Sequence, residues 1–241
     1  MPLNNEESFL GITSYKYAMR EAQSRLAPLL LPDETSDEPN ASGPQSSLMA
    51  NDRLYDAAMR ALRGVPERTL AHDLFAAYVN PNDGWCRLAT HRLHCSFWET
   101  FGKYLDGERS TKSLLQLATQ LCENSLKPLY EDYSDPKDWL ESFSGRNMRW
   151  EGLGILFTYW AHGASAIRQS PDHFSGNCSM YILRYKDCAW DIIDITRNTA
   201  SANSILLYLL YRQANLESII SGDDCAFETE TDICHSYETE N

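Results

Sequence analysis

Apolar residues recur at helical spacing along most of this chain. Between about Asn51 and Ser221 they fall three and four positions apart, the period of one helix face. Leu54, Ala58, Ala61 and Leu62 form the first stripe, with Asn51 or Asp52 placed to cap it. Leu70, Leu74, Ala77 and Tyr78 form the second, behind Pro66, a residue suited to a first helical turn. N-P-N-D-G at 80–84 breaks the pattern. Phe97, Phe101, Tyr104 and Leu105 then share a face, opened by Ser96 and Glu99 at capping-box spacing. A helix after Gly107 turns Leu114, Leu117, Ala118, Leu121 and Cys122 inward, and Asp135-Pro136 starts a short one with Trp139, Leu140 and Phe143. Trp150, Leu153, Gly154, Phe157, Trp160, Ala161 and Ala164 follow helical spacing. Met180 to Arg197 is a strongly apolar helix, and Ser201 to Ile220 is the last, closed by Ser221-Gly222 as a C-cap. No stretch alternates with the period of a strand. The pattern predicts an all-α, irregular multi-helix array.

The flanks read differently. Residues 1–50 hold one helix, Glu7 to Leu26, and then a flexible linker, L-P-D-E-T-S-D-E-P-N-A-S-G-P-Q-S-S at 31–47. The helical body covers 51–224. Residues 225–241 are expected to form an acidic, disordered tail. From 223 on, Asp223, Asp224, Glu228, Glu230, Asp232, Glu238 and Glu240 stand without a Lys or Arg among them. Interleaved Phe227, Ile233 and Tyr237 would make that tail an activation-like segment, but its sparse apolar content favours plain disorder.

Composition narrows the function. The chain has 241 residues, 43% of them hydrophobic, and a formal net charge of −13. Phosphate backbones select basic surfaces, so nucleic-acid binding by this chain alone is not expected. The longest clean apolar run, Ile205 to Tyr211, is far short of the ~20 residues that span a bilayer, so no membrane partner is expected. The N-terminus carries no secretory pattern, so cytosol or nucleus is expected. Seven cysteines, with no C-x-x-C, read as reduced thiols.

Candidate chemistry is sparse. Cys86, His91, His94 and Cys95 are nominal zinc ligands, but their spacing departs from zinc sites, and they read as a loop-to-helix entry with partly buried polar side chains. Asp187, Asp191 and Asp194 fall on one helix face. Magnesium-binding acids of terpene synthases are arranged on helices too, so an all-α terpenoid-type enzyme is the alternative reading. The D-D-x-x-D motif and the second metal motif of those enzymes are both missing, and a solvated acidic face is the better account. Arg53, Arg60, Arg63 and Arg68, interleaved with Asp52, Asp56 and Glu67, read as a salt-bridged helix surface. No nucleophile elbow or phosphate loop is present. The expectation is a non-enzyme without cofactor, catalytic residue or metal site.

The segment R-N-M-R-W-E-G-L-G-I-L-F-T-Y-W-A-H-G-A-S-A, 146–166, carries glycines at 152, 154 and 163. Each costs a helix interior about 1 kcal/mol relative to Ala. Gly154 lies on the Trp150–Phe157 stripe, where a missing side chain admits a close neighbour; Gly152 and Gly163 have no such account in the sequence. Arg149, Trp150, Glu151 and Gly154 are expected to form a structural hub.

Taken in order, A-L-R-G-V-P-E-R-T-L-A-H-D-L-F-A-A-Y-V, W-C-R-L-A-T-H-R-L-H-C-S-F-W, M-R-W-E-G-L-G-I-L-F, R-Y-K-D-C-A-W-D-I-I-D, N-S-I-L-L-Y-L-L-Y and S-G-D-D resemble the middle homology region of fungal zinc-cluster transcription factors. The resemblance spans roughly 54–224. It implies an all-helical regulatory array that tunes an attached DNA reader and bears effector or partner contacts, in the nucleus. The partners it implies are proteins, either transcription machinery or a DNA-binding partner. Two departures stand out. The family's zinc cluster needs six closely spaced cysteines, and the first cysteine here is Cys86. After Asp224 the pattern stops, which reads as a truncated regulator or gene model. Surface left bare by missing helices would promote self-association and marginal stability. A helical adaptor with no transcriptional role is the third reading.

Overall fold

The computed structural model describes residues 51–78, 84–129, 135–168, 178–200 and 202–238. The predicted helix and linker of 1–50 lie outside them. Among the described residues the regular elements are helical, and all fall in one of the chain's two units, Ser42–Asn241. They are α1 (Asp52–Gly64), α2 (Arg68–Ala77), α3 (Gly84–Leu105), α4 (Thr111–Leu126), α5 (Pro136–Glu141), a 3-10 turn (Gly145–Asn147), α6 (Trp150–Arg168), α7 (Cys178–Thr199) and α8 (Ser204–Glu238). The all-α array expected from the apolar periodicity is what the chain forms. No helix among the described residues is long and apolar enough to cross a membrane.

The centre of the array is α6. Every residue from Trp150 to Ser165 is buried. A helix with no solvent face has to be surrounded, and α7, α2 and α8 all pack on it, while α1 packs on α7. Two glycines of α6 set how close the neighbours come. A Cβ on Gly154 would lie 2.6 Å from Leu209 Cδ2 and 3.0 Å from Ile192 Cγ2, so α7 and α8 meet α6 there. A Cβ on Gly163 would lie 1.9 Å from the carbonyl oxygen of Leu74, so α2 touches α6 through its backbone. Gly152 is less tightly enclosed, with Met148 Sδ at 3.1 Å. Close approach accounts for all three, including the two that the stripe alone left open.

Several predicted ends move. Asn51 does cap α1, its Oδ1 accepting from Leu54 N at 3.3 Å. Asp135 caps α5, with Pro136 in its first turn. Pro66, however, lies before the N-cap Glu67 of α2, outside the helix. The Ser96–Glu99 capping box opens nothing, because α3 begins at Gly84 and Ser96 lies within it. Its hydroxyl donates to Leu93 O at 3.2 Å and accepts from Gly145 N at 3.0 Å, tying α3 to the 3-10 turn. The stretch 86–95 is therefore helix, not the entry to one. At the other end of α3, Gly107 takes the left-handed conformation, φ +86°, and the chain turns towards Ser110, which caps α4.

The last helix differs most. It runs through Ser221-Gly222 to Glu238 instead of stopping there, so 225–238, expected as disordered tail, has helical backbone. A lone glycine costs a helix only about 1 kcal/mol, and no proline follows Pro171 to stop it.

Candidate functional site

The hub predicted around Arg149, Trp150, Glu151 and Gly154 is a buried polar junction. It starts from a problem common to all helices: the last carbonyls of one have no internal acceptor role, and the first N–H groups of the next have no internal partner. α4 ends at Leu126, and Arg149 answers for it. Its Nη1 donates to Asn124 O (2.9 Å) and Lys127 O (2.7 Å), and its Nη2 to Ser125 O (2.7 Å). A guanidinium at a helix C-terminus also complements the helix dipole. Glu151 occupies the first turn of α6, where the dipole favours an anion. The two meet at 3.1 Å, with Arg149 3% and Glu151 0% exposed.

The remaining lone pairs of the carboxylate are filled. Ser125 Oγ donates to Glu151 Oε2 at 2.8 Å, and itself accepts from Trp150 N at 2.9 Å. Asn203 Nδ2 donates to Glu151 Oε1 at 2.7 Å, while Asn203 Oδ1 caps α8 by accepting from Leu206 N at 2.9 Å. Trp150 Nε1 donates to Cys122 Sγ at 3.1 Å, and burial raises the Cys122 thiol pKa. Asn124 Nδ2 holds the carbonyls of Arg146 and Met148, both at 2.8 Å. One ion pair thus joins the end of α4 to the beginnings of α6 and α8. Gly154 lies one turn further on, in contact with α7 and α8. Ser125, Asn124 and Asn203 were missed in the sequence. Asn203 had a legible signal, an N-cap residue ahead of an apolar run, obscured by starting that helix at Ser201.

A second polar group lies at the other end of α6. Arg212 of α8 is 2% exposed. Its guanidinium lies over the rings of Tyr159 (4.3 Å) and Tyr78 (5.0 Å), and its Nη1 donates to Tyr78 Oη at 3.1 Å. His162 stacks on Tyr78 at 4.8 Å and borders a cavity of about 280 Å³ with Arg212 and Asn215. Nothing in the sequence singled out Arg212, which follows directly on the apolar run Ile205 to Tyr211.

Burial and the Arg212 charge hold the His162 pKa down at about 3. His94, stacked on Phe75 at 4.6 Å, is pushed down to about 4 by burial, with His72 and His91 adding to the effect. Both rings are neutral in the fold at neutral pH. The unfolded chain takes up their protons near pH 6.5. Between that value and about 4 the unfolded state binds more protons, so stability rises with pH and falls as pH drops. The urea midpoint is expected to decrease from pH 7 to pH 5, and less so in His162→Phe. A midpoint flat across that interval would contradict the assignment of two neutral buried rings.

The other candidates are engaged elsewhere. His91 meets Cys95, Nε2 to Sγ 3.8 Å, while His94 turns onto Phe75. Among the described residues no group of three or more His, Cys, Asp or Glu converges as metal ligands would. Asp191 accepts from Arg60 Nη2 at 2.7 Å and from its Nε at 3.2 Å, and Asp194 from Arg53 Nη2 at 2.9 Å. Asp187 is 72% exposed beside Lys186. The acidic face of α7 is thus knitted to the basic face of α1. This corrects the expectation that the arginines pair with acids interleaved beside them, since helices packed side by side offer closer carboxylates. Arg68 leaves the cluster to donate to Trp98 O at 2.8 Å. No family model matches the chain, and no curated protein or solved structure matches it either.

Proposed function

We propose that this chain is a regulatory helical array of the fungal zinc-cluster transcription-factor type, acting in the nucleus through protein contacts. One observation carries the reading. The R-W-E-x-x-G segment, on which the resemblance chiefly rests, spends its two charged residues on joining helix ends and its glycine on helix packing. A reaction centre would hold such groups towards a cavity. Here they make a rigid core for surfaces that meet other proteins. Asp191 and Asp194, the acids that a terpenoid-type enzyme would turn to magnesium, are held by arginines.

The test is a reporter. The whole chain is fused to an unrelated DNA-binding domain and placed upstream of a reporter gene. The fusion is expected to shift reporter output relative to the DNA-binding domain alone. A well-expressed nuclear fusion with unchanged output would sink the transcriptional role. Exclusion of the tagged chain from the nucleus would favour the adaptor reading.

A further inference from the structure

A groove of about 640 Å³ runs along the solvent side of α4 and meets the 3-10 turn. Its existence follows from the pattern of that helix. Leu114, Leu117, Ala118, Leu121 and Cys122 face the core, which leaves Lys112, Gln116, Gln120 and Glu123 on the outer side. Arg146 and Lys127 close the far end. Three cations therefore face a single carboxylate, on a chain whose net charge is −13. Lys127 Nζ is partly engaged, donating to Asn124 Oδ1 at 3.0 Å. Among the described residues Lys112 and Arg146 enter no ion pair. Leu115, half-buried against the core, supplies an apolar floor.

We propose that this groove docks an acidic peptide segment of a partner protein, laid extended along α4. Charge complementarity sets the sign of the partner. Spacing sets its form. Lys112 and Lys127 are fifteen positions apart, about 22 Å at a helical rise of 1.5 Å per residue. An extended chain covers that distance in about seven residues. Between the charged ends, Gln116 presents its amide and Gln120 its amide oxygen, the Gln120 Nε2 donating to Arg146 O at 3.4 Å. These can pair with the backbone N–H and C=O of an extended segment, which a helical ligand would already have used internally. A nucleic acid fits less well. It brings one negative charge per nucleotide towards a strongly acidic chain, where a short peptide brings a few charges at fixed points. Glu123 adds a repulsion that a ligand with apolar residues at its middle avoids.

The experiment is fluorescence anisotropy with the full chain and a labelled peptide E-E-S-L-T-L-S-E-E, whose acidic ends match the groove. Saturable binding is expected, weaker at high salt because exposed charges are screened. Lys112→Glu and Arg146→Glu are each expected to weaken it roughly fivefold, since each turns an attraction into a repulsion. Lys112→Gln gives a smaller loss in the same direction and guards against a folding effect of charge reversal. Arg197→Glu, an exposed cation on α7 that does not line the groove, leaves binding unchanged. Absent saturation, indifference to all three groove variants, or a single-stranded oligonucleotide that binds in the groove more tightly than the peptide would each overturn the proposal. These measurements use purified components, so their outcome is independent of the reporter test of transcriptional function.

Discussion

Glu151→Ala is expected to destabilise the chain by about 3–5 kcal/mol, a large share of the total for a domain of this kind. The reason is what stays behind. Arg149 would remain 3% exposed with its positive charge uncompensated, and Ser125 Oγ and Asn203 Nδ2 would lose their acceptor. The carbonyls at the end of α4 would still bind the guanidinium, but neutral oxygens do not balance its charge. Glu151→Gln keeps the shape and one acceptor, and is expected to cost less. Removing both charges together, as Arg149→Met with Glu151→Leu, should recover part of the loss, since buried ion pairs are often replaceable by apolar residues. Recovery should be incomplete, because Asn124, Ser125 and Lys127 would lose the donor that caps them. Urea unfolding followed by tryptophan fluorescence measures all four chains. A Glu151→Ala midpoint within about 1 kcal/mol of the parent would show that the junction is not energetically central.

Gly163→Ala is the second large effect, and its ranking against the neighbouring glycines is the sharper test. The new Cβ would meet the Leu74 carbonyl oxygen at 1.9 Å and its carbon at 2.6 Å. Backbone atoms cannot rotate out of the way, so α2 must move off α6. The expected loss is about 3 kcal/mol or more, at the top of the overpacking range. At Gly154 the obstacle is Leu209 Cδ2 at 2.6 Å, the end of a side chain that can change rotamer, and the expected loss is about 1–2 kcal/mol. At Gly152 the obstacle is Met148 Sδ at 3.1 Å, part of a flexible side chain. There the gain of about 1 kcal/mol in helix propensity offsets most of the crowding. Stability should fall in the order Gly152→Ala, Gly154→Ala, Gly163→Ala. Any order in which Gly163→Ala is the mildest would refute the backbone contact.

The glycines also show how far local pattern reaches. Gly154 was legible because it interrupts a stripe whose burial the period declares. Gly163 was not, since its reason lies in Leu74, 89 positions away in sequence and on another helix. The same divide separates the helices from their ends. Periodicity placed α4 and α7 well, because each must hide an apolar face, and α6 because its apolar run is buried all round. The capping signature at Ser96 misled because that hydroxyl is used across space, on Gly145 N. Arginine partners were misjudged for the same reason: Arg60 and Arg53 reach to α7, although Asp52 and Asp56 lie nearer in sequence. Of the hub, Arg149 and Glu151 were legible as the charges that open the helix in R-W-E-G-L-G. Ser125 and Asn203, which fill the carboxylate's remaining positions, look like ordinary polar residues until the chain is folded.

The position of α6 in the chain has a consequence for synthesis. It is complete at Arg168, but the helices that cover it on two sides, α7 and α8, are made later. At a ribosome rate of about 5–20 residues per second, the stretch from 169 to 220 takes roughly 3–10 s to emerge. Throughout that interval Phe157 and Trp160 lack Tyr185 of α7, and Glu151 lacks Asn203. A nascent chain in this state is a natural client for chaperones that bind exposed aromatic segments, and slowing translation within α7 should lengthen its dependence on them.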